Sequence, residues 1–546
     1  MRRALLLVAA LASGCIGRIG DPGADVDGDK VDRPDPPERE VCVPGQPPIV
    51  PRLKRLTFAR YDATIQDVLG VDLTPSSALG PQVAGITPLL WSGVQAAAAD
   101  VAEAIVADTN RFDALVPCQT DDETCARQFV STVGRRLYRR PLTPTEVDRY
   151  IVLWDARAEV TENDTFAEGI GVLLEAMLQS PTFLLRVEAS TMQDGERIVL
   201  SGYERATRIA YALWDAPPDD ALLTAAAEGR LDTKEGVRTE ARRMLTSPEG
   251  LAKTRRMMRS AHADWLGMTG AYAAFWSNTQ RDSDLYPEFS PGIDAAFREE
   301  VLRFLDVVAF EREGAFSDLL TSQVTQVNAQ LAPIYDLDGI GPEWTTVELD
   351  ANRPGLLTRA GFVGTHGRFS RGSLIFRGAF VLTRLLCQEV GSPPAGADAT
   401  PLPSGAELRT TRERVEAMTA GQPCSGCHTT RINPAGAALE SFDGIGRFRT
   451  EDNGVPVDTT GTLTIDGEAK SFADAREYAE LLAVSGEAQQ CYVDKLTAYA
   501  FNDEHARLDC GGGALTTSLG SGSLTDFLVD LVSDDNFLYR ATEEAE

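Results

Sequence analysis

The stretch "LTPTEVDRYIVLW" (residues 142–154) opens with a pattern that starts α-helices. Thr143 can accept a hydrogen bond from the third residue of a helix, and Glu146 at that position can bond back to the backbone of Thr143. Pro144 stands at the first helical position, where its missing N–H leaves no hydrogen bond unmade. Apolar residues then recur at helical spacing, so the stretch predicts a capped amphipathic helix.

Helix signals of the same kind recur along much of the chain. Ser201 and Glu204 form a second capping box, and Thr57 can cap a helix that ends at Gly70. Helical periodicity is also present at residues 124–138, 166–180, 234–246, 249–266, 291–312, 374–387, 472–484 and 487–501. Strand signals are few, and the best of them is a short hairpin at residues 455–466. The sequence therefore predicts a mainly α protein, a multi-module helical body with a small β-hairpin near its C-terminal end.

Composition and charge limit the classes of partner. The chain has 546 residues, of which 43% are hydrophobic, so it can form several domains with substantial cores. It contains 52 lysine and arginine residues against 81 aspartate and glutamate residues, and its formal net charge is -29. A surface this acidic repels phosphate backbones and anionic lipid headgroups. We therefore expect no nucleic-acid partner.

The first 15 residues, "MRRALLLVAALASGC", have the organisation of an export signal. Arg2 and Arg3 precede an apolar run at residues 4–12 that is too short to span a bilayer. Small residues then lead to Cys15, and this ending resembles the lipobox of bacterial lipoproteins, in which the cysteine is lipidated and becomes the mature N-terminus. The resemblance implies a lipoprotein signal peptide at 1–15 and an exported protein held at the outer membrane or cell surface through its lipid anchor only.

The segment that follows the signal, residues 16–51, is rich in glycine, proline and aspartate. This composition predicts a flexible tether. A second linker of the same character is predicted at residues 391–405. No run after the signal is expected to be long and apolar enough to form a transmembrane helix.

Export would place the cysteines in an oxidising compartment, which favours disulfides. Apart from Cys15 and the pair in the C-x-x-C motif described below, the cysteines are Cys42, Cys118, Cys125, Cys387, Cys491 and Cys510. Six cysteines allow fifteen connectivities. Short loops favour a bond between Cys118 and Cys125 and another between Cys491 and Cys510. Cys42 and Cys387 then remain as the third pair.

The stretch "CSGCHTTRINPAGAALESFDGIGRFR" (residues 424–449) contains the single C-x-x-C-H string of the chain. Residues three apart share one face of a helical turn, so Cys424 and Cys427 can both reach the vinyl groups along one edge of a haem. His428 then falls beneath the iron as its proximal ligand. The motif predicts one covalently bound haem c.

Two other uses of the motif are weaker. A structural zinc site needs four ligands, and no second C-x-x-C or H-x-x-x-H stands nearby. A plain disulfide between the two cysteines would leave the adjacent histidine without a role. For the sixth position on the iron, the candidates are His366, His505, Met418 or an open site, and the sequence favours His366.

The residues after His428 predict what surrounds its side chain. Pro434 restricts the residue before it to extended backbone, which would end the turn and aim a backbone carbonyl from residues 432–434 at the ring of His428. The downstream apolar side chains would then form a wall around the haem: Leu439, Phe442, Ile445 and Phe448. Arg447 or Arg449 would meet a haem propionate or, equally, form a surface salt bridge.

The stretch at 424–449 resembles the haem module of the planctomycete-type cytochrome C proteins, which also occur as large lipoproteins in myxobacteria. Residues 55–72, 125–150, 173–188, 200–231 and 491–510 resemble the helical modules that accompany it. The resemblance implies a first helical module at 52–117, a second at 118–190, a third at 191–335, a cytochrome c-like module with the C-x-x-C-H motif at 336–465 and a C-terminal helical module at 466–546.

These modules have no settled activity, so the resemblance implies a cofactor class and not a reaction. The chain lacks G-x-S-x-G, H-E-x-x-H and the common phosphate-binding motifs. A c-type haem without a neighbouring substrate signature indicates one-electron transfer with a redox partner protein or a small electron carrier. The alternatives are a haem-dependent extracellular enzyme that acts on a polymer and a structural surface protein without haem, so whether the chain is an enzyme stays open.

Overall fold

The computed structural model of the protein describes residues 46–542 except 81–86, 117, 119, 271–272, 274–275, 277–279, 291, 392–407 and 509–512. Across these residues the protein is mainly α-helical with five small antiparallel sheets, which confirms the predicted fold class. The signal peptide, most of the tether and Cys15, Cys42 and Cys510 lie outside the described residues.

The first helices surround a core of their own, in which Ile65, Phe129 and Leu173 are fully buried. They are α1 (Phe58–Leu69), α2 (Pro88–Ala107), α3 (Thr109–Leu115), α4 (Glu123–Leu137), α5 (Pro144–Asp155), α6 (Phe166–Leu178) and α7 (Pro181–Leu184). Thr57 caps α1, which ends at Gly70 in the left-handed conformation. The capping box at the start of α5 is present in both directions. Both predicted helix starts are confirmed.

Helix α2 contradicts the expectation that no run after the signal could span a membrane. By length and composition alone its 20 residues are long and apolar enough to do so. One face of the helix, with Leu90, Val94, Val101 and Ile105, is buried in the first core, where α2 packs against α6. In this fold α2 is a core helix whose buried face is covered by protein.

The remaining helices build a larger second core and two smaller hydrophobic clusters. They are α8 (Gly202–Trp214), α9 (Asp220–Ala227), α10 (Lys234–Thr246), α11 (Pro248–Trp265), α12 (Ile293–Asp306), α13 (Phe316–Thr321), α14 (Ala360–Thr365), α15 (Leu374–Phe380), α16 (Thr411–Thr419), α17 (Ser425–Cys427), α18 (Asn433–Ala437), α19 (Ala475–Ala483), α20 (Gly486–Phe501), α21 (Ala514–Ser521) and α22 (Leu524–Val532). The capping box of Ser201 and Glu204 opens α8, as predicted. Three π-helical turns follow α12, α15 and α17, at Val307–Glu311, Val381–Leu385 and His428–Ile432.

The strands are short. They are β1 (Leu53–Arg55), β2 (Leu185–Val187), β3 (Gln193–Asp194), β4 (Arg197–Val199), β5 (Val324–Val327), β6 (Thr345–Glu348), β7 (Glu451–Asp452), β8 (Val455–Pro456), β9 (Gly461–Ile465), β10 (Glu468–Phe472) and β11 (Tyr539–Ala541). Four sheets are pairs, and β4 lies between β3 and β11 in the fifth. Strand β11 brings residues near the C-terminal end back to the start of α8.

The predicted hairpin at 455–466 is wrong in its pairing. Strand β8 pairs with β7, and β9 pairs with β10, so the two halves of the predicted hairpin belong to different sheets. The turn of the first hairpin is Asn453-Gly454 and that of the second is Asp466-Gly467, with all four φ angles positive. Such Asn-Gly and Asp-Gly turns match the twist of a two-residue hairpin, so the turn residues, more than the strand residues, set the register.

The cysteines pair only partly as expected. Cys118 is bonded to Cys125, as the short loop suggested, but Cys491 is bonded to Cys387 and not to Cys510. The pairing of Cys42 with Cys387 is wrong for the same reason. Cys491 lies on the buried face of α20, which directs it toward the segment after α15. The bond spans 104 residues, a separation that gives no local sequence signal.

Candidate functional site

The C-x-x-C-H motif forms a partly exposed helical turn at the edge of the second core. The backbone N–H of His428 donates to the carbonyl of Cys424 at 3.0 Å, which places the two cysteines on neighbouring positions of one turn. Both cysteines are free thiols; Cys424 is half-buried and Cys427 is exposed. The surroundings of Gly426, between them, are open, since no atom lies within 4 Å of the place a side chain would start.

A chain of side-chain hydrogen bonds fixes the imidazole of His428. Its Nδ1 lies 3.0 Å from Oδ1 of Asn433, and Nδ2 of Asn433 donates to Oγ1 of Thr419 at 2.9 Å. Thr419 gives its own proton to the carbonyl of Val415 at 2.8 Å, so its oxygen is an acceptor for Asn433. This sets the orientation of the Asn433 amide, and Asn433 itself is buried.

The direction of this chain decides the tautomer of His428. An amide oxygen only accepts, so the Nδ1–H of His428 must donate to it. Nε2 then keeps its lone pair and is the nitrogen able to bind a metal. A metal-bound histidine normally donates its other N–H to such an acceptor. The expectation of an acceptor from residues 432–434 is confirmed in position, but the acceptor is the side chain of Asn433 and not a backbone carbonyl.

Pro434 does not end the turn. Asn433 has φ -65° and ψ -48° and continues the helical path, so the expectation of extended backbone there is wrong. The backbone N–H of Asn433 bonds to the carbonyl of His428 five residues earlier. This wider π turn makes room for the proline ring, which would otherwise meet the carbonyl of the preceding turn. The same π turn brings the side chain of Asn433 back beneath His428.

Two glycines allow the segment that follows the motif to pack closely against α15. A Cβ on Gly378 of α15 would lie 2.0 Å from the carbonyl oxygen of Ile432, and one on Gly436 of α18 would lie 2.0 Å from that of Leu374. Helices α15 and α18 therefore touch through their backbones. This contact anchors the turn that carries Asn433 and His428.

The segment after the motif is held from inside the protein. The guanidinium of Arg377, which is fully buried, donates to the carbonyls of Leu439, Phe442 and Asp443 at 2.7–2.8 Å. Burial lowers the pKa of Arg377 to about 10. Arg377 thus holds this buried loop through its backbone carbonyls, of which that of Leu439 also accepts from the N–H of Phe442.

The apolar wall expected around His428 is wrong. Leu439, Phe442 and Ile445 are at most 1% exposed and are packed among other core side chains, so they do not line an open space. Phe448 is 37% exposed and lies against Phe442.

The two arginines after the motif form salt bridges, which was one of the two roles expected for them. Arg447 bonds to Asp443 and Glu288, each at 2.9 Å. Arg449 bonds to Asp452 at 2.9 Å. Both are thus held by carboxylates of the protein itself.

His366 lies in the aromatic interior of the second core. It is 5% exposed, and the rings of Phe362, Phe380 and Trp276 are 4.5, 5.0 and 5.5 Å from its own. Its Nδ1–H donates to the carbonyl of Phe362 at 2.8 Å. Burial lowers the pKa of His366 to about 4, so the ring is neutral at physiological pH. Three packed aromatic rings would have to separate before His366 could meet a haem iron.

The other two candidates for the sixth position lie elsewhere. His505 is 76% exposed beside Glu504 on the turn after α20. Met418 is half-buried on α16, next to Thr419, and so belongs to the helix that contacts the His428 turn. Sequence reasoning missed Thr419 and the role of Asn433; an asparagine placed five residues after the histidine was the available signal.

The motif offers the groups that attach a c-type haem. It offers two free thiols one turn apart and an imidazole whose Nε2 keeps its lone pair. Within the described ranges, no group of three or more His, Cys, Asp or Glu comes together as a metal site. The two thiols and the imidazole therefore do not converge on one point as the ligands of a structural zinc ion do.

Three family models match successive stretches of the chain, and each is described as a protein of unknown function. They are PSD5 (DUF1595) at residues 125–188, PSD4 (DUF1592) at residues 200–337 and PSCyt3 (DUF1588) at residues 353–452. The PSCyt3 match includes His366 and the whole C-x-x-C-H motif. No curated protein and no solved structure matches the chain.

Proposed function

Since the chain belongs to the planctomycete cytochrome C-associated family and carries a cytochrome c-like domain, we propose that it is a c-type haem protein that transfers single electrons. The observation that carries the proposal is the hydrogen bond from Nδ1 of His428 to Asn433, which leaves Nε2 free to bind iron. When bound, a haem supplies a one-electron couple whose potential depends on its axial ligands and burial.

Each residue of the motif has a separate task in this proposal. The thiols of Cys424 and Cys427 hold the haem through thioether bonds, and Nε2 of His428 is the proximal ligand. Asn433 fixes the rotation of the His428 ring and keeps the proton on Nδ1. Thr419 fixes Asn433 in turn, so the ligand is pre-oriented before any haem arrives.

The exposure of the turn that holds the C-x-x-C-H motif supports a role as an electron carrier. Cys427 is exposed and Cys424 is half-buried, so an attached group would have one edge at the protein surface. A redox partner protein or a small electron carrier could approach that edge directly. A haem-dependent enzyme would instead need an open sixth position, which binding of carbon monoxide to the reduced protein would reveal.

The deciding experiment is to express the whole chain with and without the c-type haem maturation machinery. We expect one haem per chain, seen as a mass increment that reduction does not remove and as a reduced-minus-oxidised α-band. Replacement of both motif cysteines by serine should abolish both signals. Ser425→Ala, in the same turn, is the matched control and should keep them. A chain that gains no mass with the machinery present would refute the proposal.

We propose in addition that Cys15 carries a lipid that holds the protein at the outer membrane. The support is the lipobox-like ending of residues 1–15. Cys15→Ala should move the protein from the membrane fraction to the soluble fraction. Cys42→Ala, in the tether, is the control and should leave the distribution unchanged. Membrane retention of the Cys15→Ala variant would contradict the proposal.

A further inference from the structure

A wide polar cleft of about 1570 Å³ lies between the start of α1, helices α11 and α12, helix α20 and the turn that follows α20. Ten of the residues that line it are lysine or arginine, and three are aspartate or glutamate. The whole chain has a net charge of -29. The lining of the cleft is therefore mainly basic although the protein as a whole is acidic. Such a concentration of like charge is not needed for the stability of the fold.

Part of this positive charge is neutralised by ion pairs within the protein. Several of the basic residues bond to carboxylates: Arg60 to Asp215 at 2.8 Å, Arg259 to Asp306 at 2.8 Å and to Glu299 at 2.6 Å, Lys54 to Asp503 at 2.7 Å, Arg507 to Asp494 at 3.1 Å and Arg255 to Glu311 at 3.7 Å. These pairs set the positions of the basic side chains that take part in them.

Three basic side chains of the cleft have no such partner. Arg256, Arg298 and Lys495 form no ion pair with any residue that the structure describes. Arg256 is exposed, and Arg298 donates only to the backbone carbonyl of Met268, at 2.7 Å. Unpaired charges that are preoriented in a concave site attract anions more strongly than the same charges on an open surface.

Neighbouring positive charge acts on two of these groups. Burial, together with the charges of Arg384 and Arg507, lowers the pKa of Lys495. Burial and the charge of Arg259 lower the pKa of Arg298. An anion in the cleft would relieve this repulsion.

The size and lining of the cleft indicate the class of anion. Its volume exceeds the ~300–1,000 Å³ of a site for one small molecule, so the cleft has room for an oligomer. Sites for single-stranded nucleic acid stack bases on aromatic side chains. Here Tyr499 is engaged with Arg60 and Asp215, and the only other ring in the lining is that of His505.

Neutral polar groups stand among the basic ones. Ser260 and Asn502 line the cleft and can exchange hydrogen bonds with hydroxyl groups. Arginine pairs with carboxylate and sulfate through two parallel hydrogen bonds. We propose that this cleft binds an acidic oligosaccharide, whose carboxylate or sulfate groups pair with Arg256, Arg298 and Lys495. The inference stands on the cleft and does not rest on the proposed haem.

The test is titration of the full chain, without haem, with five probes of similar length: an oligogalacturonate, a sulfated oligosaccharide, a neutral oligosaccharide, a single-stranded oligonucleotide and an oligoglutamate. We expect one or both acidic sugars to bind with an affinity that falls as salt rises. The two acidic sugars distinguish a carboxylate ligand from a sulfate ligand. Binding of none of the probes, equal binding of the neutral sugar, or preference for the oligonucleotide or the peptide would overturn the proposal.

Charge reversal in the cleft locates the site. Arg256→Glu should weaken binding of the preferred sugar by about tenfold or more, because it places a like charge against the ligand. Lys495→Glu should act in the same direction. Arg149→Glu makes the same charge change at an exposed position of α5, outside the cleft, and should leave the affinity within about twofold. Equal weakening by Arg149→Glu would mean that the net charge and not the cleft governs binding, and would also overturn the proposal.

Discussion

The Nδ1 of His428 lies 3.0 Å from Oδ1 of Asn433, and the two residues are five apart on a π turn. In a regular α-helix the residues that face each other are three or four apart. The extra residue of the π turn thus creates this pair, in front of a proline that a tighter turn would not accommodate. The π turn thus sets the orientation of His428, the proposed haem ligand.

Replacement of Asn433 should release the imidazole. In Asn433→Ala we expect ¹⁵N chemical shifts of His428 to change from one tautomer to a mixture, because the acceptor for Nδ1–H is lost. The free energy of unfolding should fall by about 1–2 kcal/mol through the lost buried hydrogen bonds. In the haem-loaded protein the reduction potential should shift as well.

Asn433→Asp restores an acceptor and should recover the single tautomer. Thr430→Ala, on the exposed side of the same turn, should change neither the tautomer nor the potential. If Asn433→Ala keeps the single tautomer and the potential of the parent protein, then Asn433 does not position His428.

Helices α15 and α18 should not tolerate a methyl group between them. Gly378→Ala would place its Cβ 2.0 Å from the carbonyl oxygen of Ile432, so the helices must separate. We expect a loss of about 1–3 kcal/mol of unfolding free energy and a lower yield of haem attachment. Gly426→Ala has open space around it and is the matched control; it should leave the unfolding free energy unchanged or raise it by up to about 1 kcal/mol, because alanine favours a helical turn. Equal stability of the two variants would contradict the close backbone contact.

The two disulfides should contribute unequally to stability. The bond between Cys387 and Cys491 closes a loop of 104 residues, and that between Cys118 and Cys125 closes one of 7. In the chain-entropy description, removal of the first should cost about 4–5 kcal/mol and removal of the second about 2 kcal/mol. Urea unfolding of the two paired cysteine-to-alanine variants measures the difference. Mass spectrometry of the parent protein should find Cys387 linked to Cys491, and a Cys491–Cys510 link would contradict this structure.

Acid should destabilise the second core through His262. Its side chain is 1% exposed with Nε2 2.8 Å from the hydroxyl of Tyr492, and burial lowers the pKa of His262 to about 3. The unfolded chain binds a proton near pH 6.5 whereas the folded protein does not. Stability from this residue is therefore complete above pH 6.5 and falls as the pH drops toward 3, by about 1.4 kcal/mol per pH unit.

The measurement is the unfolding free energy at pH 6.5 and at pH 4.5. His262→Gln should lower the free energy of unfolding at pH 6.5. The free energy of unfolding should also depend less steeply on pH, because one titrating group is lost. His505→Gln changes a histidine that is 76% exposed and should leave the slope as it is. An unchanged slope in His262→Gln would show that His262 is not held neutral by burial.

Local patterns in the sequence were sufficient for the helix starts and for the motif. Thr143 with Glu146, and Ser201 with Glu204, cap helices within one turn of themselves, so residues three apart carry all the information needed. The family resemblance is confirmed by matches to three successive models. The hairpin prediction is wrong because the turns Asn453-Gly454 and Asp466-Gly467, and not the strand residues between them, decide which strands pair.

Tertiary structure alone decided the features that join distant residues. The bond between Cys387 and Cys491 depends on which face of α20 is buried, and no short loop indicates it. The basic cleft gathers side chains from Lys54 to Arg507 along the chain, each of them unremarkable in its own stretch of sequence. Asn433 bonds to His428 because a π turn and the contact between Gly378 and Ile432 place it there. The sequence by itself thus determined the helices and the haem-type motif, through hydrogen bonds between near neighbours, whereas packing between helices determined what surrounds the motif.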